Sequence, residues 1–301
     1  MQGIRTAGIS RQGRAIAAAI FAAVLYALMT PVSKWMLLRV PPVAQAGLLY
    51  LGAGVGMYAI WLAQTIRGKK SAAPSVDRSD LRYILMMVVL DMAAPVLLLI
   101  GLTTAAPENV SLLNNFEIVA TTMIASVFFR ERISRRLAVS IGLITLACLL
   151  LSFDGAAALS FSSGSLFVLL ACLCWGLENN CTSQLSAKDT RQIVIIKGLG
   201  SGTASLVLSL VIGEGHVMLR DAALTMLLGF LAIGLSVFFY VRAQSVIGAA
   251  RTSAYYAVSP FVGVVLALVL FCEIPGMLFW PALLLMLGGV WLSIKENADA
   301  S

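Results

Sequence analysis

The sequence predicts an all-α integral membrane protein: ten transmembrane helices, built as two inverted five-helix repeats around a central cavity. Three observations carry this expectation: an apolar composition, a one-sided distribution of basic residues and an internal repeat. Of the 301 residues 60% are hydrophobic and only 12% charged, whereas a water-soluble chain is about a quarter charged. Lipid is therefore the solvent for most of the surface. No long charged stretch separates off a soluble domain.

A hydrocarbon core about 30 Å thick needs roughly 20 apolar residues per helix. Spans of that kind run over 14–38, 43–66, 82–105, 107–129 and 136–152, then 165–186, 192–212, 222–242, 248–271 and 276–294. The connections are short, apart from the basic stretch Arg67 to Arg82. The expected organisation is an N-terminal segment 1–13, a first repeat 14–152, a connection 153–164, a second repeat 165–294 and a tail 295–301. Arg5, Arg11 and Arg14 precede the first span as in a signal peptide, but the span runs too long and no small-residue cleavage site follows. It reads as a retained anchor.

The basic residues orient the chain. With the N-terminus cytoplasmic, seventeen of the 21 Lys and Arg fall in cytoplasmic segments and two, Arg39 and Arg220, in external ones. Lys34 and Lys197 lie within spans. That imbalance is the positive-inside pattern, and it places both termini in the cytoplasm. The net charge of +7 thus sets topology and does not point to nucleic acid.

The two halves resemble each other. Phe128-Phe129-Arg130-Glu131 closes span four, and Leu270-Phe271-Cys272-Glu273 closes span nine. Gly52, Gly54 and Gly56 in span two are matched by Gly198, Gly200 and Gly202 in span seven, a spacing that lets helix backbones approach closely. With five spans per repeat, an odd number, the second repeat must be inverted. Inverted repeats recur in secondary transporters, with the solute site near the midplane between them.

Together with Trp175-Gly176 in span six and Ser259-Pro260-Phe261 in span nine, these features resemble the drug/metabolite transporter superfamily, in particular its ten-helix family of two EamA domains. The resemblance covers 14–152 and 165–294. It implies an exporter or exchanger of amino acids, nucleotide-related metabolites or drugs. It also implies a cavity lined by helices 1, 3, 4, 6, 8 and 9 that opens alternately to each side. One stretch departs from the family: Asn114-Asn115-Phe116-Glu117 stands where many members carry an apolar residue and a proline.

An ionisable side chain at mid-helix costs roughly 2.5–3.5 kcal/mol on insertion scales and so marks a functional position. Asp91, Glu117 and Glu178 sit near the centres of helices that the resemblance places at the cavity. Glu117 shares a helix face with Asn114 and Thr121, and Asn115 adjoins them. Glu178 shares one with Thr182, Asn179 widens the polar patch, and Trp175 of the same span joins the candidate set. Tyr255, Tyr256 and Ser259 add stacking and hydrogen bonding from span nine. These twelve residues are the candidate cavity set.

Lys34 is a candidate counter-charge, and Lys197 is expected to snorkel. Pro31, Pro95 and Pro260 are candidate hinges within helices 1, 3 and 9. Glu131 and Glu273 are expected to bond helix termini. The five cysteines lie in apolar stretches and His216 stands alone, so neither a metal site nor a cofactor is expected.

The expected activity is secondary transport of a small polar metabolite, most readily an amino acid, in a bacterial plasma membrane. The partners are the solute and the bilayer, with a proton as a candidate coupling ion and a monomer or homodimer as the assembly. A translocase for lipid-linked or amphipathic solutes is the alternative, and a channel a weaker one. An intramembrane enzyme would want a nucleophile–base pair or a metal constellation, which the single histidine does not supply.

Overall fold

The computed structural model describes residues 2–68, 74–129, 134–152, 162–185, 188–247, 252, 255–272 and 275–299. Every regular element among them is helical. The membrane helices are α1 (Gln2–Ala27, continuing as Met29–Met36), α2 (Pro42–Ile66), α3 (Leu81–Thr104), α4 (Pro107–Leu113 and Phe116–Phe129) and α5 (Arg135–Leu151). They continue as α6 (Ser163–Ser183), α7 (Thr190–Val211), α8 (Leu219–Gly229, then Phe230–Leu235 and Ser236–Ile247), α9 (Ser259–Phe271) and α10 (Phe279–Asp299). Seven are long and apolar enough to cross a membrane by length and composition, and α9 and α10 are shorter apolar helices. Glu131 and Glu273 lie outside the described residues.

Local chemistry sets the helix starts. Proline opens α2 and α4, where its missing N–H would have no partner in any case. Ser134, Ser162 and Asp189 accept from the first-turn amides of α5, α6 and α7, satisfying donors that a helix N-terminus leaves free.

Helix pairing follows a two-fold exchange of helix n with helix n+5. The seams α2 with α7, α4 with α9 and α5 with α10 map onto themselves; α3 with α6 maps onto α8 with α1, and α2 with α8 onto α7 with α3. In the α2–α7 seam a Cβ added to Gly198 would lie 2.4 Å from the amide nitrogen of Gly54, so backbone meets backbone there. Gly202 also meets α2, at Leu51 N, whereas Gly52 and Gly56 face α8 and Gly200 faces α3.

The ends of the bundle repeat the pattern. Lys188, ahead of α7, bonds Asp77 at 2.8 Å and Asp80 at 2.9 Å ahead of α3. In the related place Glu214, ahead of α8, accepts from Val43 N and Ala44 N at the start of α2 at 3.1 and 2.7 Å. Nearby, Arg39 lies 3.8 Å from Asp221.

Candidate functional site

Two related helices are broken at mid-length. In α4 the break falls at Asn114-Asn115; Asn115 donates its Nδ2 to Leu112 O at 3.0 Å and so closes the first half. The second half then restarts with Glu117 in its first turn, the amides of Glu117 and Ile118 donating back to Asn114 O and Asn115 O at 3.1 and 3.0 Å. The helical turn at Tyr255 and Tyr256 is separated from α9 by Ala257 and Val258. Pro260 therefore stands in the first turn of a helix and not within one, a correction to its expected place. Pro95 lies inside an unbroken α3, and Pro31 follows the break in α1 at Leu28. In α8, the partner of α3, residues Phe230–Leu235 widen into a π-helix, a form frequent at functional positions.

These irregular helices surround a cavity of about 880 Å³. Its polar wall includes Tyr50, Glu117, Asn179, Thr182, Lys197, Tyr240 and Tyr256, and Ile118, Ile233 and Val237 are among its apolar surfaces. It extends past Ile193, Val241 and Ile294, toward the end of the bundle where α3 and α7 begin.

Two polar assemblies adjoin the cavity. In the first, Asn179 donates its Nδ2 to Glu117 Oε1 at 2.6 Å and lies 3.3 Å from Thr121 Oγ1. Asn180 donates to Thr121 O at 3.1 Å, tying α6 to α4. The approach depends on Gly176, where a Cβ would fall 2.7 Å from that of Ala120. Opposite, Tyr256 stacks edge-on to Tyr240 with ring centroids 5.0 Å apart and reaches Ser236 Oγ at 3.0 Å.

In the second assembly Lys197 Nζ lies 2.8 Å from Glu178 Oε1 and 3.2 Å from Asp91 Oδ2. Tyr50 donates its hydroxyl to Asp91 Oδ1 at 3.2 Å, and Thr182 donates to Glu178 Oε1. Asp91 and Glu178 are buried, while Lys197 keeps 22% of its side chain exposed. The expectation that Lys197 snorkels is overturned. About two turns inside α7, its ammonium turns inward because two carboxylates wait there. A carboxylate without a cation in such surroundings would carry a desolvation cost of several kcal/mol.

Other expected residues lie apart from these assemblies. Trp175 is buried beside Tyr50. Asn114 and Ser259 are at the two helix breaks, with Asn114 Oδ1 and Ser259 Oγ both enclosed. Tyr255 is half-buried; the described wall includes its neighbour Tyr256 instead. Lys34 Nζ donates to Leu102 O, Thr103 O and Ala105 O at 2.5, 3.2 and 3.1 Å, completing the C-terminal turn of α3. Sequence reasoning missed Lys197, Tyr50 and Tyr240. A signal for Lys197 was available: three mid-span carboxylates call for a cation, and few are at hand.

Helices in two interlocked repeats, broken around a polar cavity, are the architecture among the described residues, and it suits a membrane transporter. The profile of the EamA-like transporter family matches residues 13–153 and 162–295. An uncharacterized transporter of Methanothermobacter thermautotrophicus is 25% identical over 293 residues, spanning 91% of this chain and 84% of the relative. A solved crystal structure shares the fold at TM-score 0.65 with 14% identity, over 93% of this chain and 95% of its own. The chain belongs to the EamA-like transporter family.

Proposed function

We propose that the protein moves small polar organic solutes bearing an amino group, amino acids first among them, by alternating access through this cavity. It would work as an exporter or exchanger in a bacterial plasma membrane. The observation that carries the reading is Glu117: a carboxylate in the cavity wall, bonded to the neutral amide of Asn179. A carboxylate in that position offers a solute ammonium a charge-assisted bond. Tyr240 and Tyr256 offer a cation–π surface on the same wall. The volume of about 880 Å³ lies within the usual range of small-molecule sites, roughly 300–1,000 Å³. With the termini cytoplasmic, as the basic residues favour, the cavity faces the cytoplasm.

Purified protein in proteoliposomes, loaded with a panel of unlabelled amino acids, should exchange at least one of them against its radiolabelled form. Glu117→Gln keeps the shape and one hydrogen-bond acceptor but removes the charge. It should slow that exchange by about tenfold or more, the order expected for a charge-assisted bond. Exchange at the wild-type rate by Glu117→Gln would overturn the assignment of the ammonium site.

A further inference from the structure

We propose that Asp91, Glu178 and Lys197 form a proton-coupling site, its two carboxylates set behind the cavity wall that Lys197 itself lines, and connected to the Glu117 side of that wall through α6. This rests on the transporter reading above. The group comprises two carboxylates and one ammonium, the ammonium 3.2 and 2.8 Å from them. With all three ionised it carries one negative charge in excess, among buried surroundings that penalise unbalanced charge. Uptake of one proton by a carboxylate, delivered from water in the cavity, balances it. Lys197 then remains an ammonium bonded to the other carboxylate.

The geometry selects a proton over a metal cation. Lys197 Nζ already fills the space between the carboxylates, where a sodium ion would have to stand. Access is also built in. Thr182 and Tyr50 line the cavity, and their hydroxyls bond Glu178 and Asp91 respectively. A hydroxyl both donates and accepts, so each can pass a proton between cavity water and the carboxylate behind it.

The groups facing the site come from several helices. Tyr50 projects from α2, Tyr26 from α1, Glu117 from α4, Thr182 and Trp175 from α6, and Lys197 from α7. Asp80 and Lys34 act at the opposite ends of α3. Glu117 is thus a further negative charge near the triad. A solute ammonium at Glu117 and a proton on the triad relieve the same excess, so each weakens the binding of the other. Reciprocity of linkage makes that antagonism work in both directions. The mechanical link is α6: Glu178 and Asn179 are consecutive and point about 100° apart around the helix. One grips Lys197 of α7, which in turn holds Asp91 of α3, and the other grips α4.

The first test needs no solute. Infrared difference spectra of the wild-type protein in lipid, stepped from about pH 9 to about pH 5 across the range where shifted carboxyls titrate, should show the carbonyl stretch of a carboxylic acid growing in. Carbon-13 carboxyl labelling of aspartate or glutamate should shift that band. It should be lost in Asp91→Asn or Glu178→Gln and kept in Glu117→Gln. No such band in the wild type, or a band unaffected by both Asp91→Asn and Glu178→Gln, overturns the site.

The second test compares amino-acid accumulation driven by a pH gradient with gradient-free counterflow in the same proteoliposomes. In Asp91→Asn and Glu178→Gln the ratio of accumulation to counterflow should fall about tenfold or more, within the usual span of coupling between sites. Glu117→Gln should lower both together. A wild-type ratio in both triad variants, or accumulation that follows a sodium gradient and is lost when choline replaces sodium, overturns coupling at this site. If no amino acid exchanges at all, the solute assignment fails, and the infrared titration decides the proton site by itself.

Discussion

The interface of α3 with α6 and α7 and its two-fold mate, α8 with α1 and α2, use the same backbone plan and opposite chemistry. The first is held at its centre by Asp91, Glu178 and Lys197. The second contains no Asp, Glu, Lys or Arg at the corresponding depth: none occurs in α2, or between Arg14 and Lys34 in α1, or between Asp221 and Arg242 in α8. Its polar contact is Ser236, which donates to Ala22 O at 2.9 Å and meets Tyr256, and it packs Phe21 edge-on against Phe239 at 5.2 Å. The repeated architecture thus supplies a symmetric frame. The charge sits on one side of that frame.

The strongest challenge to this comparison is to the frame itself. Gly198→Leu drives a side chain into the backbone of α2, where even a Cβ would be 2.4 Å from an amide nitrogen. It should abolish folded protein in fluorescence-detected size exclusion, while Gly142→Ala, with nothing within 4 Å, should express normally. Equal yields would mean that the α2–α7 seam is not a point of backbone contact.

Next in size is Lys197→Met, which leaves two buried carboxylates without their cation and should cost roughly 3–5 kcal/mol. Its mate, Ser236→Ala, removes one neutral hydrogen bond and should cost about 1 kcal/mol. Thermal unfolding in a single detergent ranks the two, and a Tm loss as large for Ser236→Ala as for Lys197→Met would erase the energetic asymmetry. Adding Glu178→Gln to Lys197→Met should restore part of the lost Tm.

A smaller effect is expected at the end of α9. Cys272, exposed and at φ 52°, is the one non-glycine residue with positive φ among the described residues. Glycine is favoured at such a helix end, and Cys272→Gly should raise stability by about 1 kcal/mol. A lowered Tm would show that the thiol contributes more than the backbone costs.

The smallest effect belongs to the exposed contact of Lys188 with Asp77. Lys188 and the amide and hydroxyl of Ser79 hold the Asp77 carboxyl well below its ordinary range, and hydrogen bonding to Asp77 and Asp80 raises Lys188. A lowered carboxyl contributes stability above its unfolded pKa of about 4, lost as pH falls through the folded value; a raised lysine contributes below about 10.4, lost as pH rises through its folded value. The contribution of this contact should be level between about pH 5 and pH 10 and fade outside that window. Comparing wild type with Lys188→Ala across pH at low and high salt checks both the plateau and its screening.

Much of the fold was legible because the bilayer imposes simple rules on sequence. Span length follows hydrocarbon thickness, so boundaries such as 43–66 and 192–212 lie within two residues of Pro42–Ile66 and Thr190–Val211. The candidate site was legible in part for the same reason: Asp91, Glu117 and Glu178 stand out against apolar neighbours. Their grouping was not. Glu117 and Glu178 look alike on a helical wheel, yet Glu117 lies in the cavity wall and bonds an amide, while Glu178 lies behind that wall and bonds Lys197.

The sequence by itself determined that this chain lives in a membrane, crosses it in two similar halves and carries carboxylates at mid-depth, since hydropathy and charge count are local properties. The tertiary structure alone decided where Lys197 points. Its Nζ could reach the interface by snorkelling along α7, and only the close approach of α3, α6 and α7 brings two carboxylates within 3.2 Å of it. Coulombic attraction in a poorly solvated interior then outweighs the pull of water. Ion pairs between distant helices depend on which backbones can approach, and that is settled by packing rather than by any single span.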